Sequence, residues 1–384
     1  MQTIRILVAG DLLPSEGNVS LFEKGDVSQL FGKEICNLFS SADLSIVNLE
    51  GPLTDSNSKM IKDGPVLKAS KASVQGIKRL GVSLVALANN HITDYLQDGF
   101  LDTIKTLDEV ELPFIGAGPD ISHIVKYKSF AFGPTKVCIS NVSETFFNIP
   151  HHNSAGANLY DEYVVCRELE NLKRTHDYVI VIYHGGAEYF PYPTPQTRKR
   201  FHRMADSGAD FITAQHTHCI GCEEYYGGSY LLYGQGNFLF ARQRNYPMMT
   251  KEGLISELTI NEDGLSVKNH RIIIDGAVIR YADNQDLSDF YERGTHINDD
   301  DYIVSLFKQT KSKEILNKYL LSSKGHFPMY RLIRHLFPKS FSQIGLMNSY
   351  SMTQCIQNLG IVQGDRRYED MFYVWNYILD YKEK

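Results

Sequence analysis

The sequence lacks an uninterrupted apolar run of transmembrane length, so we expect no membrane-spanning helix. It also lacks an excess of basic residues, because 39 Lys and Arg are outnumbered by 45 Asp and Glu. No stripe of clustered Lys and Arg occurs before residue 280, which argues against nucleic-acid binding. The first apolar run starts at Ile4 and leaves no room for a secretory leader. Together these absences predict a soluble, cytoplasmic protein without a nucleic-acid partner.

Cysteine is scarce, with six in 384 residues, and the spacing does not suggest a disulfide framework. Cys219 and Cys222 form a C-x-x-C pair directly after His218. A structural zinc site normally has a second ligand pair, and none is evident, so we interpret these two as incidental thiols. A glycine-rich loop of the G-x-x-x-x-G-K-[ST] form is also missing, which argues against nucleotide-dependent ligase chemistry.

The pattern that is present alternates apolar strand-like runs with amphipathic segments from residue 3 to about 259, which predicts an α/β fold. The expected helices cover residues 27–39, 71–80, 99–110, 167–174 and 195–206. The expected strands cover residues 4–9, 44–47, 83–88, 113–118, 136–142, 179–183, 211–214, 230–233, 253–260 and 265–274. Glu262-Asp263-Gly264 is a hairpin signal between the last two strands, so we expect the later strands to be antiparallel.

Composition changes near residue 282, which predicts one domain over 1–282 and a helical C-terminal region over 283–384. Pro328 and Pro338 are expected to break these helices. Residues 330–339 are basic and amphipathic, a pattern that suits either a peripheral membrane or partner contact, or a helix packed on the main domain with solvated arginines. We favour the packed helix.

Five apolar runs each end in a side chain of a type that binds metal ions. These are Asp11, Glu50, Asn90 followed by His91, His184, and the pair His216 and His218. Open α/β sheets bind ligands outside the carboxyl ends of their strands, so these side chains are expected to converge. Each one alone is explained as well by a helix cap or a strand end, but three histidines at apolar strand ends would otherwise need buried partners.

Carboxylate, amide and imidazole donors without thiolates suit Mn, Fe or Zn. Six candidate ligands are too many for one tetrahedral ion and fit two neighbouring divalent ions with open positions. Such a pair can stabilise both the attacking and the leaving oxygen of a displacement. The sequence therefore predicts a centre with two divalent metal ions as cofactors.

Six short motifs, in order, carry a family resemblance: Gly10-Asp11, Asn48-Leu49-Glu50, Ala88-Asn89-Asn90-His91 with Asp94, His184-Gly185-Gly186-Ala187-Glu188-Tyr189, His216-Thr217-His218 and Tyr233-Gly234-Gln235-Gly236-Asn237-Phe238. From about residue 5 to 240 the chain resembles the capsule-synthesis CapA family, of the poly-γ-glutamate synthesis type. That family is a branch of the calcineurin-like metallophosphoesterases. The resemblance implies a four-layer α/β/β/α sandwich with a two-metal site, followed here by the helical C-terminal region.

The resemblance also implies a role for each motif residue. Asp11 would bind one ion or bridge both, and His218 would complete the first ion. Glu50 would take the place of the superfamily's bridging aspartate, and the second ion would be held by Asn90, His184 and His216. His91 would be the catalytic acid, and Asp94 would orient its ring. Glu188, Tyr189 and Asn237 would contact substrate. The chain departs from the wider superfamily at Leu13, where a first histidine ligand is usual, and at Thr217, where proline is common between the two histidines.

The resulting prediction is a metal-dependent hydrolase of a phosphoester or of a related ester or amide bond, acting in capsule or exopolymer biosynthesis. Its substrate would be a small molecule or a polymer such as poly-γ-glutamate or a polysaccharide. The alternative is a non-catalytic assembly component with a degenerate metal site, whose C-terminal helices recruit other capsule-synthesis proteins. The residue at position 13 favours the second reading, and the combination of Asn90, His91 and Asp94 favours the first.

Overall fold

A computed structural model of the chain describes residues 3–62, 64–146, 148–150, 152–240 and 247–323. Its strands are β1 Ile4–Leu13, β2 Leu44–Leu49, β3 Leu84–Ala86, β4 Phe114–Ile115, β5 Ala117–Gly118, β6 Tyr127–Phe132, β7 Thr135–Ser143, β8 Gly156–Ala157, β9 Tyr178–His184, β10 Phe211–Gln215, β11 Glu223–Tyr226, β12 Ser229–Leu232, β13 Asn237–Phe240, β14 Glu252–Asn261, β15 Gly264–Asp275 and β16 Val278–Tyr281. Its α-helices are α1 Val19–Lys24, α2 Val27–Ser40, α3 Val74–Leu80, α4 Leu96–Glu109, α5 Glu162–Lys173, α6 Pro195–Asp206, α7 Ser288–Thr295 and α8 Asp300–Ser323.

The first sheet has the strand order β16-β15-β14-β1-β2-β3-β4, and β13 pairs with β1 beside this path. Strands β1 to β4 are parallel, whereas β14 to β16 pair antiparallel and β14 pairs antiparallel with β1. The antiparallel character expected for the later strands of the chain is therefore confirmed in this sheet. Along β1 the partner changes from β14 to the parallel strand β13 between Ala9 and Asp11, where the register also shifts.

The second sheet has the order β11-β12-β10-β9-β7-β6. Its four central strands are parallel, and the edge strands β11 and β6 pair antiparallel with their neighbours. Strands β5 and β8 form a separate two-stranded pair. The parallel strands of each sheet bring their carboxyl ends to a common edge, which is where the predicted ligands lie.

Each central strand is buried on both faces, and alternate side chains serve different layers. Ile6 and Val8 of β1 pack with Ile139 of β7 and Ile182 of β9 in the core between the two sheets. Leu7 of β1 points the other way, into a second core built with side chains of α1, α2, α3 and α4. This second core includes Phe22, Phe31, Phe39, Ile77 and Phe100.

The outer face of the second sheet is covered by α5 and α6, which pack on β9 and β10. Val165 and Phe201 are among the side chains that these helices bury. The layers are thus helices, sheet, sheet and helices. The predicted four-layer α/β/β/α sandwich is confirmed.

Helix boundaries follow local capping. Helix α6 coincides with the predicted range 195–206, because Pro195 occupies its first turn and Thr194 accepts a hydrogen bond from the backbone of Thr197. Helix α5 begins five residues earlier than predicted, at Glu162, because the Asp161 side chain caps it. The hairpin between β14 and β15 turns at the predicted Glu262-Asp263-Gly264 segment.

The chain divides into two compact units. The first comprises residues up to Met60 together with Val66–Ile303, and the second comprises Ile61–Pro65 and residues from Val304 onward. Within the described residues, helices α7 and α8 follow residue 283, and the helical region predicted over 283–384 stays a prediction. The proposed breaks at Pro328 and Pro338 and the basic stretch 330–339 lie outside the described residues, and the domain boundary at 282 stays a prediction. Within the described ranges, no helix has the length and apolarity needed to cross a membrane.

Candidate metal centre

Asp11 lies where β1 changes partners, and its side chain is fully buried. Its Oδ1 accepts a hydrogen bond of 2.8 Å from the Asn48 side chain, and its Oδ2 accepts one of 3.1 Å from the backbone N–H of His216. The carboxylate is therefore held from two sides, by the second strand of the first sheet and by the loop after β10 in the second sheet.

Glu50 follows directly after β2 and is also fully buried. Its Oε1 lies 3.9 Å from His184 Nε2, 3.9 Å from His218 Nε2 and 4.0 Å from His91 Nε2. One carboxylate oxygen thus faces three imidazoles that come from three different strand ends. Such a position suits a ligand shared between two ions.

The segment after β3 contributes an amide and an imidazole. Asn90 is half-buried, and its Oδ1 lies 2.9 Å from His184 Nε2. His91 is 4% exposed, and its Nδ1 lies 2.7 Å from Asp94 Oδ2. The same Asp94 oxygen accepts a 2.7 Å hydrogen bond from the backbone N–H of Leu67. The structure therefore places Asp94 behind His91, with the other ring nitrogen of His91 turned toward Glu50.

His216 and His218 follow β10 and adopt positive φ angles of 88° and 53°. Residues other than glycine rarely take such angles, and they cost free energy that the surroundings must offset. The backbone is held there because Thr217 accepts a 2.7 Å hydrogen bond from Tyr189, which itself has a φ of 57°. The two imidazoles face the centre from this strained turn, with ring centroids 5.9 Å apart.

Among the described residues, two groups of three side chains could each hold a metal ion. Within each group, the donor atoms lie within 4.8 Å of one another. One contains Glu50, His184 and His216, and the other contains Asp11, Glu50 and His218. Glu50 belongs to both groups. The structure thus brings together the five charged or imidazole ligands predicted from the sequence, with Asn90 in contact with one of them.

The electrostatics of the centre favour cation binding. Burial lowers the pKa of His184 to about 3, so this ring is neutral near pH 7 and has a lone pair for a metal ion. Burial alone would also lower the pKa of His218, but the carboxylates of Glu50 and Asp11 raise it to about 9. Burial alone would raise the pKa of Asp11, yet hydrogen bonding and the charges of His218 and His184 hold it below its usual value. The negative field that retains a proton on His218 equally attracts a divalent cation.

The donor set fits such ions. Carboxylate and imidazole groups bind Mn, Fe and Zn, and two overlapping groups with a shared carboxylate match a pair of ions better than a single one. Position 13 supplies no further donor, since Leu13 is an apolar side chain, 5% exposed, in the core beneath the helices. Cys219 and Cys222 are buried thiols that belong to neither donor group, and burial raises the pKa of Cys222, which keeps it protonated.

The predicted rim residues lie beside the histidine pair. The Glu188 side chain is one-third exposed, and its Oε1 is 3.6 Å from His216 Nε2. The Tyr189 ring stacks on His218 at 6.0 Å. Asn237 is 1% exposed, and its Oδ1 lies 2.9 Å from His218 Nδ1 while its amide donates to the carbonyl of Thr250. The structure therefore places Asn237 behind His218, and its predicted substrate contact stays a prediction.

Sequence reasoning assigned no role to two residues at the centre. Asn48 contacts both Asp11 and His184, and the only local signal was an amide two positions before Glu50 in an otherwise apolar run. Phe146 lies in the segment after β7, with its ring 5.0 Å from that of His216. No polar motif marks Phe146, so only the fold reveals its position.

Comparison with known proteins adds a family and several relatives. Residues 5–242, more than half of the chain, match the family described as "Bacterial capsule synthesis protein PGA_cap". The capsule biosynthesis protein CapA of Bacillus anthracis is 24% identical over 69% of this chain and 66% of its own length. The PGA biosynthesis protein CapA of Bacillus subtilis is 30% identical over 53% of this chain and 54% of its own length. The chain thus spans between half and two thirds of the length of these relatives.

Solved structures with a similar chain path include one described as a phosphatase and one described as a 5'-nucleotidase precursor. A novel phosphatase of Mycoplasma pneumoniae has a TM-score of 0.46 and 18% identity over 72% of this chain and 95% of its own. A 5'-nucleotidase precursor of Thermus thermophilus has a TM-score of 0.44 and 13% identity over 71% of this chain and 55% of its own. The family match itself includes all six motifs that form the centre. The protein belongs to the bacterial capsule synthesis family PGA_cap, the CapA family.

Proposed function

We propose that the protein is a metal-dependent hydrolase with a two-ion centre, acting on an ester or amide bond in capsule or exopolymer biosynthesis. The observation that supports the chemistry is the pair of donor groups that share Glu50. The biosynthetic context is supported by the family and by the names of its relatives, which refer to capsule and PGA biosynthesis. A cytoplasmic location remains the expectation drawn from the sequence.

In this proposal the ligands divide between two positions, with Asp11, Glu50 and His218 at one and Glu50, Asn90, His184 and His216 at the other. When bound, divalent ions polarise the scissile group and lower the pKa of water, which allows hydrolysis near neutral pH. Buried carboxylates and imidazoles supply these positions with fixed donors, so little reorganisation is needed when the substrate binds.

His91 is proposed as the group that donates a proton to the leaving atom. Its Nδ1 donates to Asp94, which in turn is fixed by the backbone of Leu67. This arrangement orients the ring, with Nε2 directed toward Glu50 at 4.0 Å. A proton at Nε2 is therefore next to the centre, where a leaving oxygen or nitrogen would need it.

Substrate contact is proposed for Glu188, Tyr189 and Phe146. All three are partly exposed, and each lies against or beside one of the two histidines of the strained turn. Aromatic surface next to a polar centre can bind the apolar flank of a small substrate or of a polymer chain. The class of bond is tested directly by a panel of substrates.

The test is hydrolysis by the full-length, Mn-loaded protein of a phosphomonoester, a phosphodiester and a γ-glutamyl anilide. We expect Mn-dependent turnover of at least one substrate. His91→Ala should lower kcat by about 100-fold or more, the range typical of a lost general acid, because the leaving atom loses its proton donor. Its metal content should remain close to that of wild type, since His91 is not among the donor groups.

The matched control is His123→Ala. His123 also pairs with an aspartate three residues away, at 2.8 Å from Asp120, but it is exposed and belongs to neither donor group. This control should leave turnover unchanged. A protein that binds two ions yet hydrolyses none of the three substrates would contradict the hydrolase proposal and support the assembly component instead.

A further inference from the structure

Asn48 lies inside the metal centre without belonging to either donor group. It is the penultimate residue of β2, its side chain is fully buried, and it precedes the shared ligand Glu50 by two positions. Buried amides in a core must be hydrogen-bonded, so the partners of this one indicate what it does.

The NH₂ group of Asn48 faces one ligand of each proposed ion. Its Nδ2 donates to Asp11 Oδ1 at 2.8 Å, and the same nitrogen lies 3.4 Å from His184 Nδ1. Asp11 belongs to one donor group and His184 to the other. The amide therefore contacts both halves of the centre.

The orientation of this amide is fixed by a second one. Asn48 Oδ1 accepts a 3.1 Å hydrogen bond from Asn89 Nδ2, which also donates to the carbonyl of Leu49 at 2.8 Å. Asn89 Oδ1 accepts from the backbone N–H of His91 at 3.0 Å, and the Asn89 carbonyl accepts from Asn148 at 3.1 Å. A continuous amide network thus joins the end of β2 to the segments that follow β3 and β7. Since Asn48 Oδ1 is engaged with Asn89, its NH₂ group is the end that faces the ligands.

We propose that Asn48 is a positioning residue that couples the two ion positions. Its side-chain amide holds the Asp11 carboxylate and the His184 ring in fixed positions relative to each other. This inference rests on the proposed two-ion centre. A neutral amide can hold a carboxylate oxygen without neutralising its charge, so the ligand stays attractive to a cation while its rotation is restricted. Without the amide, the Asp11 carboxylate and the His184 ring would each lose one fixed contact.

The test measures Mn²⁺ binding to the full-length, metal-free protein by isothermal titration calorimetry. Removal of a residue that orients metal ligands typically costs 10 to 100-fold in affinity. We expect Asn48→Ser and Asn48→Leu to weaken both binding steps by about this factor. Leu has the branched shape of Asn and is somewhat larger, whereas Ser is smaller and its hydroxyl is too short to reach Asp11. Because the two variants change the packing in opposite directions, the same loss of affinity in both would come from the missing amide. Electron paramagnetic resonance of the Mn-loaded variants should show a weaker signal from paired ions.

The matched control is Asn18→Ser. Asn18 is another fully buried asparagine with two side-chain hydrogen bonds, to Ser15 and to the carbonyl of Ala277, and it contacts no predicted ligand. It should lose stability in thermal unfolding without losing Mn²⁺ affinity. Unchanged affinity in both Asn48 variants, or a loss confined to one binding step, would overturn the coupling. A wild-type protein that binds no Mn²⁺ would overturn the two-ion centre, and with it this inference.

Discussion

His216 and His218 show how strongly single residues are constrained at this centre. Both have left-handed backbone angles that cost on the order of 1–3 kcal/mol each for a residue other than glycine. The cost is offset locally by the hydrogen bonds from Tyr189 to Thr217 and from His216 to Asp11. Strain of this kind is found at functional sites, and here it accompanies two imidazoles that both lie near Glu50, the carboxylate shared by the two donor groups.

Replacement of His216 should separate metal binding from proton transfer. His216→Ala removes a member of one donor group, so we expect the protein to lose one ion and its turnover together. His91→Ala, in contrast, should lose turnover alone. Metal content and hydrolysis measured on the same preparations check this difference. Full activity in both variants would show that the centre is wrongly assigned.

Much of the ligand set could be predicted because each member ends a long apolar run in sequence. That signal identified Asp11, Glu50 and His184 before any contact was known. The contacts of Asn48 could not be predicted, because its partners lie 37 and 136 positions away along the chain. No periodicity or spacing rule reports such contacts, since they exist only after the strands have paired.

Strand β1 is the element on which the centre depends most. It changes partners between Ala9 and Asp11, and the residue between them is Gly10. A Cβ at Gly10 would lie 2.2 Å from the carbonyl oxygen of Gly236, a backbone atom that cannot easily move. The missing side chain allows the loop before β13 to approach β1 closely at the point where Asp11 turns into the centre.

Gly10→Ala should therefore damage both stability and metal binding. Overpacking of a buried site costs about 1–3 kcal/mol, and a contact this short should lie at the upper end of that range. The Asp11 carboxylate would shift with the backbone, so Mn²⁺ affinity should fall as well. Thermal unfolding and calorimetry measure the two effects.

The matched control for Gly10→Ala is Gly17→Ala. Gly17 follows β1, and a Cβ added there would lie 3.5 Å from the Ala277 Cβ, an ordinary van der Waals distance. It should change the free energy of unfolding by less than about 1 kcal/mol. Equal stability and equal Mn²⁺ affinity in Gly10→Ala and in wild type would show that the close approach is not required.

Elements with strong local signals were predicted well, and elements defined by distant pairing were not. Helix α6 was predicted to the residue, because its cap and its proline are adjacent in sequence. Strands β6, β8, β11, β13 and β16 were not predicted. β13 is four residues long and is a strand because it pairs with β1, more than 200 positions away. Short strands that are stabilised mainly by a remote partner carry little signal of their own.

For the molecule as a whole, the first compact unit contains every residue of the proposed centre. It also includes α7, whose Phe290 is fully buried and whose Arg293 donates to the carbonyl of Gly221 at 2.8 Å. A metal-binding domain that ends at residue 303 therefore keeps these contacts, whereas one that ends at residue 282, the boundary predicted from composition, lacks them.

Truncation tests this division of the chain. A protein ending at residue 303 should fold and bind Mn²⁺ with the affinity of the full-length chain. A protein ending at residue 282 should also bind the metal if it folds. Its thermal stability should be lower, because it loses the buried side chain of Phe290. Circular dichroism establishes folding and calorimetry the affinity. A folded protein ending at residue 303 that bound no metal would contradict the placement of the centre within the first unit.

The most direct test of the two-ion centre is the metal content of the purified full-length protein after reconstitution with Mn²⁺, measured by inductively coupled plasma mass spectrometry. We predict about two ions per chain in the wild type and a loss of both in Glu50→Gln, because Glu50 is the ligand that the two donor groups share. No bound metal in the wild type, or two ions retained in Glu50→Gln, would contradict the account.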